Sequence, residues 1–318
     1  MDFIDMYRGH KEAKGDLAWA VEPICSVLKA EYGVSLSVSG YYDFKTRPPS
    51  ARSIRDGKLK EVIATTYSQN YSCYGVRKMY RELRRQGHDV ARCTVARLMA
   101  DLGLKGAVRG KVKRTTIAGA HVRSAEDLVR RNFYTKAPDQ IWVADFTYVS
   151  TWEGWCYVAF VTDVFARRII GHCISTRMNR DMVAAAFNRA IFNRIREGHD
   201  DLADLIHHND KGSQYTADDF VELLASYGIR TSIGTVGDSY DNALAETING
   251  AYKTELIKKF GPWRSYEELN IETEEWVRWY NENRINEYDD YRTPNEIEDL
   301  WYATGDDLRK AAQKAAGK

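Results

Sequence analysis

The chain has 318 residues, enough for about two domains and a sizeable core. With 44% hydrophobic and 29% charged residues it reads as an ordinary globular protein, and no run approaches the roughly 20 apolar residues of a membrane span. The 46 Lys+Arg against 45 Asp+Glu leave a net charge of +1, so bulk charge does not announce a nucleic-acid partner and such a reading must rest on where the basic residues sit. Cys25, Cys73, Cys93, Cys156 and Cys173 form no C-x-x-C pair and share no zinc spacing with the seven histidines. That pattern predicts free thiols in a reducing cytoplasm and no zinc module.

Residues 1–50 are predicted as a helical segment, FIDMYRGH and a second helix around Ala18 to Tyr32, with VSGYYDFKTRPPS as a hinge. In residues 51–106, Val76, Met79, Tyr80 and Leu83 fall at i, i+3, i+4 and i+7, and Val95, Leu98, Met99 and Leu102 repeat those offsets beyond the QGHDV turn. Two short amphipathic helices around a glycine-bearing turn are a helix-turn-helix candidate. Arg77, Lys78, Arg81, Arg84, Arg85, Arg92 and Arg97 are expected on its exposed faces, with Arg92 and Thr94 near DNA bases and the other arginines on phosphates. The competing reading is a helical hairpin with a solvated basic face. Residues 107–136 read as a basic linker in which Lys111, Lys113 and Arg114 can follow a phosphate backbone or simply face water.

From 137 to 260 the pattern predicts three antiparallel strands, IWVADFTYV, WCYVAFVTDVF and RIIGHCIS, then a helix capped by Asn179. Strand LIHHND, helix TADDFVELLASYG, strand RTSIG and a helix from Asn242 complete a βαβα tail. Residues 261–318 read as a helical extension whose Trp276, Trp279 and Tyr280 belong to the core, ending in a fraying polar tail.

Three carboxylates stand out in this core. Asp145 shares its strand face with Ile141, Val143, Thr147 and Val149, where a carboxylate needs either a cation or an ion-pair partner. Asp210 closes LIHHND, where it either binds a cation or caps the turn at Gly212. Glu246 is either a ligand or a first-turn glutamate answering its helix dipole, four residues after the N-cap candidate Asn242.

W-x-x-D at Trp142 to Asp145, D-x-G-S-Q-Y at Asp210 to Tyr215 and D-N-x-x-x-E at Asp241 to Glu246, with 35 residues between Asp210 and Glu246, resemble the DDE transposases of bacterial insertion sequences. More closely, the chain resembles the second-frame, OrfB-type protein of the insertion-sequence-three group, over about Ser39 to Glu298, which shares its catalytic core with retroviral integrases. Departures are small: His208 and Asn209 stand where the family commonly reads H-S, and Asn286 where it often has His.

The resemblance implies an α/β, RNase H-like core with a five-stranded mixed sheet, in which the first and fourth strands are neighbours. Asp145, Asp210 and Glu246 would be the catalytic, metal-holding residues for two Mg²⁺ or Mn²⁺ ions. The implied chemistry is hydrolysis at the element's end, then direct transfer of the 3′-OH to another phosphodiester. Lys253, seven residues beyond Glu246, would contact DNA, and Asn242, Gln214 and His208 would act around the ligands or in the loop. Expected partners are double-stranded DNA of the element ends and target, further copies of the chain on that DNA, and the upstream-frame OrfA product or a fusion with it, since no sustained heptad pattern precedes the core. The expected place is the bacterial cytoplasm, at the nucleoid when acting. An RNase H-type nuclease and a non-catalytic DNA-binding descendant of a transposase are the rival readings.

Overall fold

The computed structural model describes residues 1–11, 17–110, 135–209, 218–233 and 243–316. The chain divides into two compact units, residues 1–59 and 60–318.

The first unit holds α1 (Asp2–Tyr7), a short antiparallel pair β1 (His10–Lys11) and β2 (Leu17–Trp19), α2 (Val21–Tyr32), α3 (Val38–Thr46) and the start of α4 (Ala51–Gln69). Ile4, Val21, Ile24, Cys25 and Tyr41 form its buried cluster. The stretch expected to be a hinge is α3. Ser37 caps it by accepting from the Gly40 N–H at 3.0 Å, and fully buried Tyr41 donates to Asp5 at 2.6 Å. Pro48 and Pro49 only stop that helix, because a residue before proline is disfavoured in the α region.

The second unit opens with the end of α4, α5 (Val76–Arg85) and α6 (Arg92–Asp101). Met79, Leu83, Val95, Leu98 and Met99 are fully buried, the apolar stripes that the 3.6-residue period places on one side of each helix. Between them the chain reverses through Gly87 at φ +86°, a conformation that glycine adopts without a side-chain penalty.

β3 (Ile141–Thr151), β4 (Gly154–Asp163), β5 (Arg168–Ser175), β6 (Ile206–Asn209) and β7 (Arg230–Ile233) form one mixed sheet in the order β5-β4-β3-β6-β7. β3, β4 and β5 are an antiparallel meander, and β6 and β7 add in parallel. This is the RNase H-like order. One face of β3 and its neighbours, including Trp142, Ala144, Val161 and Ile170, packs on α7 (Arg180–Arg196) through Met182, Val183, Ala186, Phe187 and Ala190. Burying a side chain such as Phe187 contributes about 1.5–3 kcal/mol. α7 approaches closely at Gly171 of β5, where an added Cβ would run into the Ala186 carbonyl and Ala190. Asn179 caps α7 as expected, accepting from the Met182 N–H at 3.2 Å. α8 (Asp218–Ser226) links β6 to β7 and buries Phe220 and Leu224.

α9 (Ala243–Tyr252) covers the opposite face of β3, with Ala245 and Leu244 against Val143 and Val164. It runs into a π-helical turn (Lys253–Ile257), α10 (Lys258–Phe260), α11 (Tyr266–Glu282), a 3₁₀ turn (Glu287–Asp289) and α12 (Pro294–Ala316). Trp276, Trp279 and Tyr280 are buried, so the aromatic stripe of α11 is core. The tail read as fraying is instead helical through Ala316. The base of α12 is held by charge: Arg194 of α7, fully buried, reaches Asp139, Asp163 and Glu298 at 2.8 Å each. A guanidinium with five fixed donors can satisfy three carboxylates together, which no apolar side chain could replace while those acids remain.

Candidate active site

Asp145 lies mid-strand in β3, with Phe160 of β4 as its Cα partner on one side. On the other side the parallel pairing with β6 runs from Ile141↔Ile206 to Ala144↔Asn209. The chain therefore brings Asn209 beside the residue preceding Asp145, and Asp210 follows Asn209 in sequence. Asp210, Gln214, Asn242, Lys111, Lys113 and Arg114 lie outside the described residues.

The α9 face turned toward β3 completes the near environment of Asp145. Its half-buried carboxylate accepts from the Phe146 N–H at 2.8 Å through Oδ1 and from Asn249 Nδ2 at 2.8 Å through Oδ2. Asn249 is buried and sits one turn after Glu246, whose side chain is exposed at the start of α9. The amide must present its nitrogen to Asp145, because a carboxylate cannot donate, and this leaves Asn249 Oδ1 buried and accepting no hydrogen bond among the described residues. Asn249 was not singled out in the sequence. Its signal was available as the i+3 position of a proposed ligand in a helix, the position that faces the same way.

Lys253 begins the π-helical turn and is half-buried, with Nζ 4.6 Å from the centre of the Tyr148 ring. Burial lowers its pKa and Lys258 lowers it further, while the Asp145 carboxylate opposes both, so this ammonium shares the electrostatic field of Asp145. The turn is anchored by a bidentate pair in which Arg284 Nε and Nη2 donate to the buried Glu255 carboxylate at 2.8 and 2.7 Å.

His208 is buried in β6, its Nδ1 2.9 Å from Ser232 Oγ of β7. That hydrogen bond ties the two parallel strands together just before Asn209. Neighbouring His207, fully buried between the Phe187 and Phe220 rings, is held neutral, its pKa pushed down to about 3 by burial.

The helix-turn-helix residues are more divided than their sequence pattern suggested. Arg92 is exposed at the start of α6, Thr94 is half-buried, and Arg97 pairs with Asp101 at 3.8 Å. Arg84 pairs with Asp89. Arg77, Arg81 and Arg85 of α5 are exposed, as expected, and each also meets the C-terminal segment. Arg77 pairs with Glu287, Arg81 lies 4.6 Å from the Tyr291 ring centre, and Arg85 grips Glu296 at 2.6 and 3.0 Å. Lys78, expected to be exposed, is half-buried beside the Tyr74 ring, its pKa lowered to about 8 by burial and by Arg284. Helical periodicity separates buried from outward positions within α5 but cannot reveal a second element lying on the outward side.

The donor set around α9 and β3 consists of carboxylate oxygens, the hard ligands that suit Mg²⁺ or Mn²⁺. Among the described residues no three His, Cys, Asp or Glu side chains gather at one point. Asp145 lies on β3 and Glu246 in the first turn of α9, the helix packed on that strand, and the buried Oδ1 of Asn249 has no hydrogen-bond partner among the described residues.

Family models agree with this architecture. An integrase core domain matches residues 135–239, a second integrase core domain model matches 227–294, and an HTH-like domain matches 54–112. A protein of Mycobacterium tuberculosis named as a transposase for insertion sequence element IS986/IS6110 is 53% identical over 268 residues, 84% of this chain and 96% of its own length. The transposase for insertion sequence element IS629 of Shigella sonnei is 44% identical over 300 residues, covering 90% and 99%. Among solved structures, the catalytic core domain of HTLV-2 integrase in complex with magnesium aligns with 51% of this chain and 98% of its own, at 19% identity and a TM-score of 0.39.

Proposed function

The chain belongs to the transposases of bacterial insertion sequences, in the group of insertion sequence three, and we propose that it cuts and joins DNA at the carboxylates Asp145, Asp210 and Glu246. The observation that carries the reading is the junction of β3 and α9, where Asn249, one turn after Glu246, is bonded to Asp145.

Asp145, Asp210 and Glu246 would hold two Mg²⁺ or Mn²⁺ ions, which when bound activate the attacking oxygen and neutralise the leaving 3′-oxygen. The protein's own part is positioning. Asn249 fixes one oxygen of Asp145, leaving its carboxylate in a single orientation. Lys253, on the Glu246 face of the helix, contacts the phosphate beside the scissile bond. Its half-buried ammonium exchanges little hydration for that contact. The product of the first step is a 3′-OH end, and the second step is direct attack of that hydroxyl on another phosphodiester, with no covalent protein intermediate.

The double-stranded DNA partner is held by phosphate contacts of the HTH-like domain, where exposed Arg92 leads α6, and by the following basic linker, with further copies of the chain assembled on the DNA. The upstream-frame product, separate or fused, supplies the main recognition of the element's ends.

The test uses the full chain with Mg²⁺ and a duplex taken from the DNA flanking the gene. Asp145→Asn, Asp210→Asn and Glu246→Gln should each abolish cleavage and strand transfer while duplex binding persists, because the three act as a unit. Undiminished strand transfer in any one of them overturns the assignment. Cleavage without joining by the wild type would favour a nuclease.

A further inference from the structure

Gly250 lies four residues after Glu246 in α9 and Lys253 three residues beyond it, so all three share one helix face. That face has a gap at Gly250, and an arginine from far away fills it. A Cβ built on Gly250 would have as its three nearest atoms Cζ, Nη2 and Nε of Arg109, at 2.5 to 2.7 Å. Arg109 stands 137 residues before Glu246, at the end of the HTH-like domain, and its Nη2 donates to the Glu246 carbonyl at 3.2 Å. Its side chain is exposed, and that single bond uses one of five guanidinium donors. The face therefore reads carboxylate, guanidinium, ammonium in order along the helix.

We propose that Arg109 is a DNA-phosphate contact of the catalytic helix, seated in the side-chain space that Gly250 leaves open. This rests on the reading of Glu246 as a residue of the DNA-cutting centre. A DNA strand whose scissile phosphate sits at Glu246 meets Arg109 next and Lys253 beyond it. The planar fork suits phosphate oxygens, and its bond to the Glu246 carbonyl fixes its direction before DNA arrives. The same arginine joins the end of the HTH-like domain to α9, so DNA held by that domain is brought into register with the centre.

The experiment measures binding of the full chain, in EDTA, to a random-sequence duplex of about 40 base pairs over a range of salt, where each phosphate contact contributes about 0.9 to the slope of log K against log salt. Arg109→Ala should lower the slope by about one such contact. Gly250→Ala should do the same by displacing the guanidinium, in a helix that alanine favours, and the double variant should lose no more than either single one. Arg109→Lys should keep the slope. Thermal melting of each variant runs alongside. A wild-type slope in Arg109→Ala overturns the proposal, and with a lowered melting temperature it would make Arg109 a structural strap. A wild-type slope in Gly250→Ala beside a reduced one in Arg109→Ala also overturns it, placing the contact elsewhere. Because the slope needs no cleavage, failure of the functional reading registers separately, as cleavage that survives Asp145→Asn.

Discussion

Replacing Asn249 by alanine removes a side-chain donor to Asp145 Oδ2 while leaving every carboxylate in place. The 2.8 Å bond is to an ionised acceptor, a class worth about 1.5–3 kcal/mol net. An independent figure comes from residues that orient metal ligands, whose loss typically weakens metal affinity or activity about 10–100-fold. That range converts to about 1.4–2.7 kcal/mol, so the two estimates agree. Asn249→Ala should therefore cleave DNA about 10–100-fold more slowly at limiting Mg²⁺ and recover part of the loss as Mg²⁺ is raised, with duplex binding unchanged. Asn249→Asp should lose more, since it sets a second carboxylate against Asp145 where a donor stood. Initial cleavage rates across a Mg²⁺ titration, with parallel thermal melts, provide the measurement. A wild-type rate at limiting Mg²⁺ in a stably folded Asn249→Ala would refute the idea that this amide orients Asp145.

Two predictions concern stability. Arg194→Ala strips the shared cation from Asp139, Asp163 and Glu298 and should destabilise the second unit by about 3–5 kcal/mol, read by denaturant unfolding; a loss below about 1 kcal/mol would mean that water reaches these acids. His207, with a folded pKa of about 3 against about 6.5 unfolded, binds fewer protons when folded, so its contribution is complete above pH 6.5 and falls as pH drops toward 3. At pH 5 the loss should be about 2 kcal/mol. His207→Gln should flatten that acid limb, and parallel limbs for variant and wild type would count against a neutral His207.

Much of this protein was legible in the sequence because local rules act over a few residues. Period-two alternation put Val143 and Asp145 on one face of β3, and the 3.6-residue stripe found α5, α6 and the buried aromatics of α11. Strand alternation and motif spacing pointed to Asp145 and Glu246, which lie on the central strand and in the first turn of α9. α3 is masked in the sequence by the two prolines that follow it, although Ser37 is a favoured N-cap residue. What one chain's periodicity cannot contain is the identity of the surface that another element will cover. Arg77, Lys78, Arg81 and Arg85 read as a free basic face, yet the C-terminal segment more than 200 residues onward engages three of them and Lys78 is half-buried. Asn249 on Asp145 and Arg109 over Gly250 are likewise long-range contacts, 104 and 137 residues apart in sequence for their hydrogen bonds. Such pairs are fixed only when packing of α9 on β3 decides which side chains meet, because hydrogen bonds reach about 3 Å and carry no trace in the spacing of the residues that make them.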